Sequence, residues 1–270
     1  MSRLGIIAGS GGLPRKLIEA CKRDGRDFFV LGFRGQTEDG LMNGAPHGWT
    51  KLGATNAAIE ILKQNNVDTL VMAGAIRRPS LREMRPDLRT IKVFARLGAA
   101  AFGDDALLRA VVDELEKEGF RIVGAHDVEP GLITPSGILG SVQPGDQNCI
   151  DRDFGIRVTK TLGTLDVGQA AVVQQGIVIG IEAIEGTDNL LARCRKHRRQ
   201  GIGGVLVKSC KPQQDQRLDL PTIGLRTVRR AYEAGLAGIA VEAGASILLD
   251  RDEVVHAADS LGLFIEGFTA

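Results

Sequence analysis

Short apolar runs alternate with helix-spaced apolar positions along the first part of the chain. Leu4–Ala8 reads as a buried strand, and Gly9–Gly12 as a turn. Leu13, Leu17, Ile18 and Cys21 then follow helical spacing, with Gly25 as the stop. Phe28–Leu31 is a second strand, and Ile59 with Ile61–Leu62 marks a helix ending near Asn65–Asn66. Thr69–Met72 is a third strand, running into Gly74. A β-α-β-α-β order of this kind predicts a parallel, doubly wound sheet. Leu88–Leu97 and Ala106–Glu118 follow as helices, and Arg121–Val123 as a further strand.

Glu129–Asn148 breaks the pattern with three prolines and four glycines. It predicts a boundary, with domains over 1–133 and 151–270 and a linker over 134–150. Beyond it, Asp153–Leu165 reads as a helix, and Ala170–Val173 and Ile177–Ile181 as a hairpin about Gln174–Gly176. A helix over Thr187–Gln200, a strand over Gly204–Val207 and a helix carrying Leu225, Val228, Ala231 and Tyr232 come next. Strands at Ile239–Val241, Ile247–Leu249 and Leu263–Ile265 flank a last helix, with Asp250 as its expected cap and Gly262 as its stop. The fold class is therefore α/β, with an N-terminal parallel sheet and a separate C-terminal α/β domain.

Charge narrows the functions. Thirty-four basic and thirty-three acidic side chains leave a net charge of +1 in 270 residues. No global field recruits nucleic acid or an anionic bilayer, so phosphate affinity must be local. Few aromatics argue against base stacking. Cys21, Cys149, Cys194 and Cys210 are scattered, with no zinc-ligand spacing, as in a reduced cytoplasmic protein. No apolar run reaches the length of a membrane span.

Several motifs fall at strand ends. Gly9-Ser10-Gly11-Gly12-Leu13-Pro14 follows a strand and opens a helix, where backbone N–H groups and the helix dipole favour a phosphate. Pro14 stands where a dinucleotide-binding turn wants its third glycine, and no acidic ribose ligand ends the second strand. Arg34 after that strand keeps NADP open. Gly74, with Arg77 and Arg78 behind it, ends the third strand, where open α/β sheets bind ligands. Arg78, Arg82, Arg85, Arg89, Lys92 and Arg96 read as a solvated basic face, or as a surface facing anionic headgroups. Asp104 and Asp105 suit a helix start. In Glu185–Asp188, Thr187 or Asp188 can cap a helix or bind a ligand oxygen, and Asp188 is also a candidate metal ligand.

The segment Lys208–Gly224, KSCKPQQDQRLDLPTIG, concentrates the chemistry. It is too polar for a core, and Pro212 and Pro221 forbid a continuous helix. Lys208, Lys211 and Gln214 offer donors to a phosphate, and Asp215 and Asp219 offer carboxylates. Phosphoanhydride hydrolysis needs both, and Asp219, expected beside a helix start, is the candidate catalytic acid and metal ligand.

The ordered set IIAGSGGLP, AGAIRRPSL, GDDALLR, GAHDV, LDVGQAAVV, EAIEGTD, KPQQDQRLDLPTIG and AGLAGIAVEAG resembles the UDP-2,3-diacylglucosamine pyrophosphatase family of lipid A biosynthesis, the type unrelated to metallophosphoesterases. The resemblance runs from about Leu4 to Gly267. It implies a Gram-negative cytoplasmic enzyme with a Rossmann-like N-terminal domain and a ligand held between the two domains. It implies hydrolysis of UDP-2,3-diacylglucosamine to UMP and 2,3-diacylglucosamine 1-phosphate with Mg²⁺ or another divalent cation. It makes Asp219 the required acid and carries nucleotide contact to Gly9, Gly11, Gly12 and Leu13. Thr187, Lys208 and Lys211 then face the sugar–phosphate region. Transient contact with the inner membrane through the lipid substrate, and a homodimer, are further expectations. Two rivals stand beside this reading: a Rossmann-type NAD(P)-dependent oxidoreductase, and a non-catalytic nucleotide- or lipid-binding regulator.

Overall fold

A computed structural model of the chain describes residues 2–77, 86–97 and 104–269. The chain divides into two compact units. One comprises Met1–Pro130 with Asp215–Asp219, the other Gly131–Gln214 with Leu220–Ala270.

In the first unit the elements run β1 (Arg3–Ala8), α1 (Gly12–Arg23), β2 (Phe28–Phe33), β3 (His47–Thr50), α2 (Thr55–Gln64), β4 (Val67–Ala73), α3 (Leu88–Leu97), α4 (Asp104–Lys117), β5 (Arg121–Val123) and α5 (Ala125–Val128). The sheet order is β3-β2-β1-β4-β5, with every pair parallel. β1 and β2 are apolar at nearly every position because both sheet faces are covered. The chain winds outward from β1 to β3 and restarts on the other side of β1 at β4. The β1/β4 boundary is thus the topological switch point, where open sheets form a crevice at the carboxyl ends of strands.

β3 was not expected. Its sequence, HGWT, has no apolar run, and it forms because β2 offers it a ladder at the sheet edge. One core cluster gathers Phe29, Leu31, Leu62, Leu70, Val112, Leu115 and Ile122. Leu218, far away in sequence, joins the same cluster and anchors Asp215–Asp219 to this unit. The packing of Leu218 thus groups Asp219 with the parallel sheet, although it lies within residues 151–270 of the sequence.

Arg89 in α3 bonds Glu114 of α4 and Glu118 just past its end, so it ties two helices together rather than standing on a solvated basic face. Arg78, Arg82 and Arg85 lie outside the described residues.

The second unit contains β6 (Gly137–Ile138), α6 (Asp146–Thr164), β7 (Ala170–Gln174), β8 (Ile177–Ile181), α7 (Gly186–His197), β9 (Val205–Lys208), β10 (Thr222–Ile223), α8 (Leu225–Glu233), β11 (Gly238–Glu242), β12 (Ile247–Leu248), α9 (Arg251–Leu261) and β13 (Phe264–Phe268). Its sheet is mixed, in the order β6-β13-β11-β9-β7-β8. β13, β11 and β9 are parallel, while β7 and β8 form an antiparallel hairpin at one edge and β6 runs antiparallel at the other. β10 and β12 form a separate two-stranded ladder. Residues 134–150 hold β6 and the first turn of α6.

The hairpin turn has a local cause. Gln175 and Gly176 both have positive φ, as a tight two-residue turn requires. The fully buried Asp151 of α6 accepts hydrogen bonds from both of their N–H groups, at 2.8 and 2.7 Å. Asp250 does not cap α9 as expected. It stands at the N-cap position with φ +50 and makes no side-chain cap bond, whereas Gly262 ends that helix with φ +70, as its lack of a side chain allows.

The α3–α4 tie gives a pH prediction. Hydrogen bonds from Lys63 and Arg89 lower the Glu118 carboxyl from 4.5 to about 2. A depressed folded-state pKa means this contribution is complete above about pH 4.5 and is lost as the pH falls toward 2. In acid titrations followed by circular dichroism, Glu118→Gln is expected to shallow the loss of stability across that window and leave its pH dependence above 5 unchanged.

Candidate functional site

The glycine turn after β1 is fixed by contact with the end of β4. The N–H of Gly9 donates to Ala73 O at 2.8 Å, and that of Ser10 to Ala75 O at 2.8 Å. The N–H of Ala75 returns a bond to Ser10 O at 3.0 Å. A Cβ on Gly9 would lie 2.5 Å from Ala75 O, and one on Gly74 would lie 2.4 Å from Ser10 O. Pro14 fills the third glycine position and packs on Gly74, where an added Cβ would approach its Cγ to 2.9 Å. The two strand ends thus need glycine for close approach.

This bears on one expectation. The N–H groups of Gly9 and Ser10 already donate to Ala73 O, at the end of β4, and to Ala75 O just beyond it. Gly11, with φ +96, turns the chain, and the exposed Gly12 opens α1, with Leu13 next. The first N–H groups of a helix lack intrahelical partners, so the donors at this switch point come from the start of α1. Arg77 N bonds Gln36 Oε1 at 2.8 Å, which pins the segment after Gly74. Arg78, expected on the ligand, lies outside the described residues.

In the second unit, Lys208 ends β9 and is only 4% exposed. Its Nζ donates to Thr187 Oγ1 at 2.8 Å and to Thr222 O at 3.3 Å. Thr187 lies in the first turn of α7 and donates its hydroxyl proton to Glu182 Oε1 at 2.6 Å. A buried ammonium needs such partners, because stripping water from a charge is costly unless hydrogen bonds replace it. Thr187 is therefore not a helix cap; Glu185 holds that position. The sequence reading joined Thr187 and Lys208 but missed Glu182. Its signal was a lone acid directly after the apolar strand IVIGI.

Lys211 Nζ bonds Asp166 Oδ1 at 2.6 Å, and Lys211 N donates to Gln214 Oε1 at 3.1 Å. Lys211 is thus ion-paired in this state, and the side chain of Gln214 braces its backbone. Lys160 bonds both oxygens of Glu242, at 2.7 and 2.8 Å, and the same carboxylate accepts from Cys210 N at 2.8 Å. These contacts fix the chain immediately after β9.

Asp219 closes the short segment held in the first unit by Leu218. Its N–H points back to Asp215 O at 3.4 Å, and the residue is exposed. Arg217 bonds both Asp215 oxygens and also Glu116 Oε1, at 3.1 Å. The Arg217 hydrogen bonds hold the Asp215 carboxyl below its ordinary range. The helix expected near Gly224 or Leu225 begins at Leu225, and the short strand β10 lies between it and Asp219.

The donor set bears on the implied divalent cation. Among the described residues no three His, Cys, Asp or Glu side chains converge on one point. Asp188 bonds Arg226 at 2.7 Å on the surface. Magnesium, however, commonly takes one or two protein carboxylates and completes its shell with waters and substrate phosphates. The exposed carboxylate of Asp219 fits that mode, and a protein-built metal cage does not.

The chain matches two family models, the LpxI N-terminal domain over residues 3–132 and the LpxI C-terminal domain over residues 135–266. It is 43% identical to the UDP-2,3-diacylglucosamine pyrophosphatase LpxI of Caulobacter vibrioides, over 99% of this chain and 98% of that protein. Among solved structures, the UDP-glucose 4-epimerase of Thermus thermophilus in complex with NAD aligns at 12% identity over 99% of this chain and 86% of its own, with a TM-score of 0.34. The UDP-N-acetylglucosamine 4-epimerase of Bacillus cereus aligns at 11% identity over 100% and 89%, also at 0.34. Neither likeness is close enough to argue from.

The anchoring of Asp219 is testable. Leu218→Ala is expected to cost about 2–5 kcal/mol in urea unfolding, as for removal of a large apolar side chain from a core. Arg217→Ala, which breaks only partly exposed pairs, is expected to cost under about 1 kcal/mol.

Proposed function

The chain belongs to the LpxI family, and we propose that it hydrolyses the pyrophosphate of UDP-2,3-diacylglucosamine, giving UMP and 2,3-diacylglucosamine 1-phosphate in lipid A biosynthesis. The observation that carries this reading is the identity of 43% across 99% of the chain with a pyrophosphatase of that name. The distribution of donors and acids supports it.

In this reading the start of α1, at Gly11, Gly12 and Leu13, contacts the nucleotide part. Its helix N-terminal N–H groups and dipole favour the negative charge of a phosphate. Gly9 and Gly74 act indirectly, by clamping the turn. Lys208, Thr187 and Lys211 face the sugar–phosphate region, where a fixed ammonium offsets charge on the phosphoryl oxygens. The pairing of Lys211 with Asp166 requires that Lys211 exchange a carboxylate for a phosphate on binding. Hydrolysis forms one P–O bond to water and breaks one bridging P–O bond. Asp219 serves this step by orienting the water or by holding a divalent cation. Such a cation, when bound, supplies charge neutralisation on the diphosphate. Asp219 would hold it from the protein side, with the substrate's phosphates completing the site.

We place the enzyme in the cytoplasm, meeting the inner membrane through its lipid substrate; no described helix is long and apolar enough to cross a membrane.

The test is direct. Protein incubated with Mg²⁺ and UDP-2,3-diacylglucosamine is expected to release UMP. Asp219→Ala is expected to keep its fold and its substrate binding, while turnover falls by roughly 10²–10⁴-fold, the usual span for loss of a positioned acid–base group. Wild-type protein that binds the substrate without releasing UMP would instead support the regulator reading.

A further inference from the structure

Three residues lie in a row across one face of the mixed sheet. Lys208 of β9 pairs with Ala170 of β7. Ala170 accepts from the N–H of Glu182, the residue that follows β8, at 2.8 Å. Residues directly opposite on neighbouring strands project to the same face. Lys208 and Glu182 therefore flank a methyl group, which leaves room above it for their longer side chains to lean inward. Thr187, from the first turn of α7, fills that room and touches both, at 2.8 Å from the ammonium and 2.6 Å from the carboxylate.

The order of donors is forced. An ammonium only donates, so Thr187 Oγ1 must accept from Lys208. The single hydroxyl proton of Thr187 is then left for Glu182, which accepts it. The Glu182 carboxylate fixes the hydroxyl rotor, and the rotor fixes the ammonium. Two of the three N–H bonds of Lys208 are taken, by Thr187 and by Thr222 O.

Glu182 is 7% exposed, and its Oε2 is buried with no hydrogen-bond partner. A buried oxygen left unpaired carries a cost that a purely structural side chain would avoid. A methionine would fill this space without it.

We propose that Glu182 is a positioning residue for phosphate binding, acting on the substrate only through Thr187, by aiming the remaining N–H of Lys208. This rests on the reading of Lys208 as a substrate-facing cation. It adds a residue that makes no ligand contact itself.

The experiment compares Glu182→Gln, which keeps an acceptor for the Thr187 hydroxyl, with Glu182→Met, which removes it at similar length. KM and kcat for UDP-2,3-diacylglucosamine are measured, with thermal unfolding as the check on fold. Glu182→Met is expected to raise KM on the order of tenfold with kcat within about threefold. Glu182→Gln is expected to stay within about threefold of wild type on both. A folded Glu182→Met protein with wild-type KM, or with a loss confined to kcat, would overturn the proposal.

Should the methionine variant not fold, Thr187→Val and Glu182→Gln/Thr187→Val decide the matter. A residue acting only through Thr187 adds nothing once the hydroxyl is gone, so the two should share one KM. A further rise in the double variant overturns the proposal. One readout needs no substrate and separates this inference from the assignment of function. In ¹⁵N-lysine spectra the Lys208 ammonium is expected to give an exchange-protected signal in wild type and Glu182→Gln, and an unprotected one in Thr187→Val. Equal protection in all three counts against the relay even if UMP release is never seen.

Discussion

A lysine ammonium buried at the end of a β-strand sets the terms for the second unit. Burying that ammonium is costly unless hydrogen bonds replace the water it has lost. Thr187 and Thr222 supply them, and both must be brought there by other parts of the chain. The antiparallel hairpin places Glu182 and the start of α7 on one side, while β10 brings the Thr222 carbonyl from the other. The small Ala170 between Lys208 and Glu182 makes the approach possible. A cation fixed in this way is desolvated and oriented in advance, which under the proposed function would suit it to a phosphate. Less reorganisation is then needed on binding, which is how preorganised charge gains its strength.

The first unit is braced at its switch point by backbone instead of side chains. Its strand order creates a switch point between β1 and β4. Gly9 and Gly74 let the two strand ends close on one another through paired backbone bonds. That closure engages the N–H groups of Gly9 and Ser10 and leaves the first N–H groups of α1 as the helix-end donors beside it. Leu218 solves a separate problem, since it holds a short acidic segment from late in the sequence against the core of this unit. The exposed Asp219 is thereby held against this unit without being buried.

Much of this was legible in the residues. Periodicity located α3, β5 and the β7–β8 hairpin closely, because each is a strongly patterned run bounded by turn residues. It missed β3, whose four residues carry no apolar run and are strands only by pairing with β2. It took Asp250 for a cap from its residue type, where the backbone adopts a left-handed conformation instead. The glycine turn between β1 and α1 was recognised, but not the pairing of its first two N–H groups, which depends on how closely β4 ends beside β1. Glu182 was invisible for a similar reason. Its role comes from strand register and from a small neighbour across the sheet, and neither leaves a local motif. The packing of Leu218 is likewise a tertiary fact, hidden in a segment that reads as uniformly polar.

Reaction in H₂¹⁸O, followed by mass spectrometry of both products, tests the central claim most directly. Hydrolysis of the diphosphate predicts a single ¹⁸O in either UMP or 2,3-diacylglucosamine 1-phosphate, with no labelled product from Asp219→Ala on the same timescale. Cleavage without label in either product, or full labelling by the alanine variant, would contradict the account.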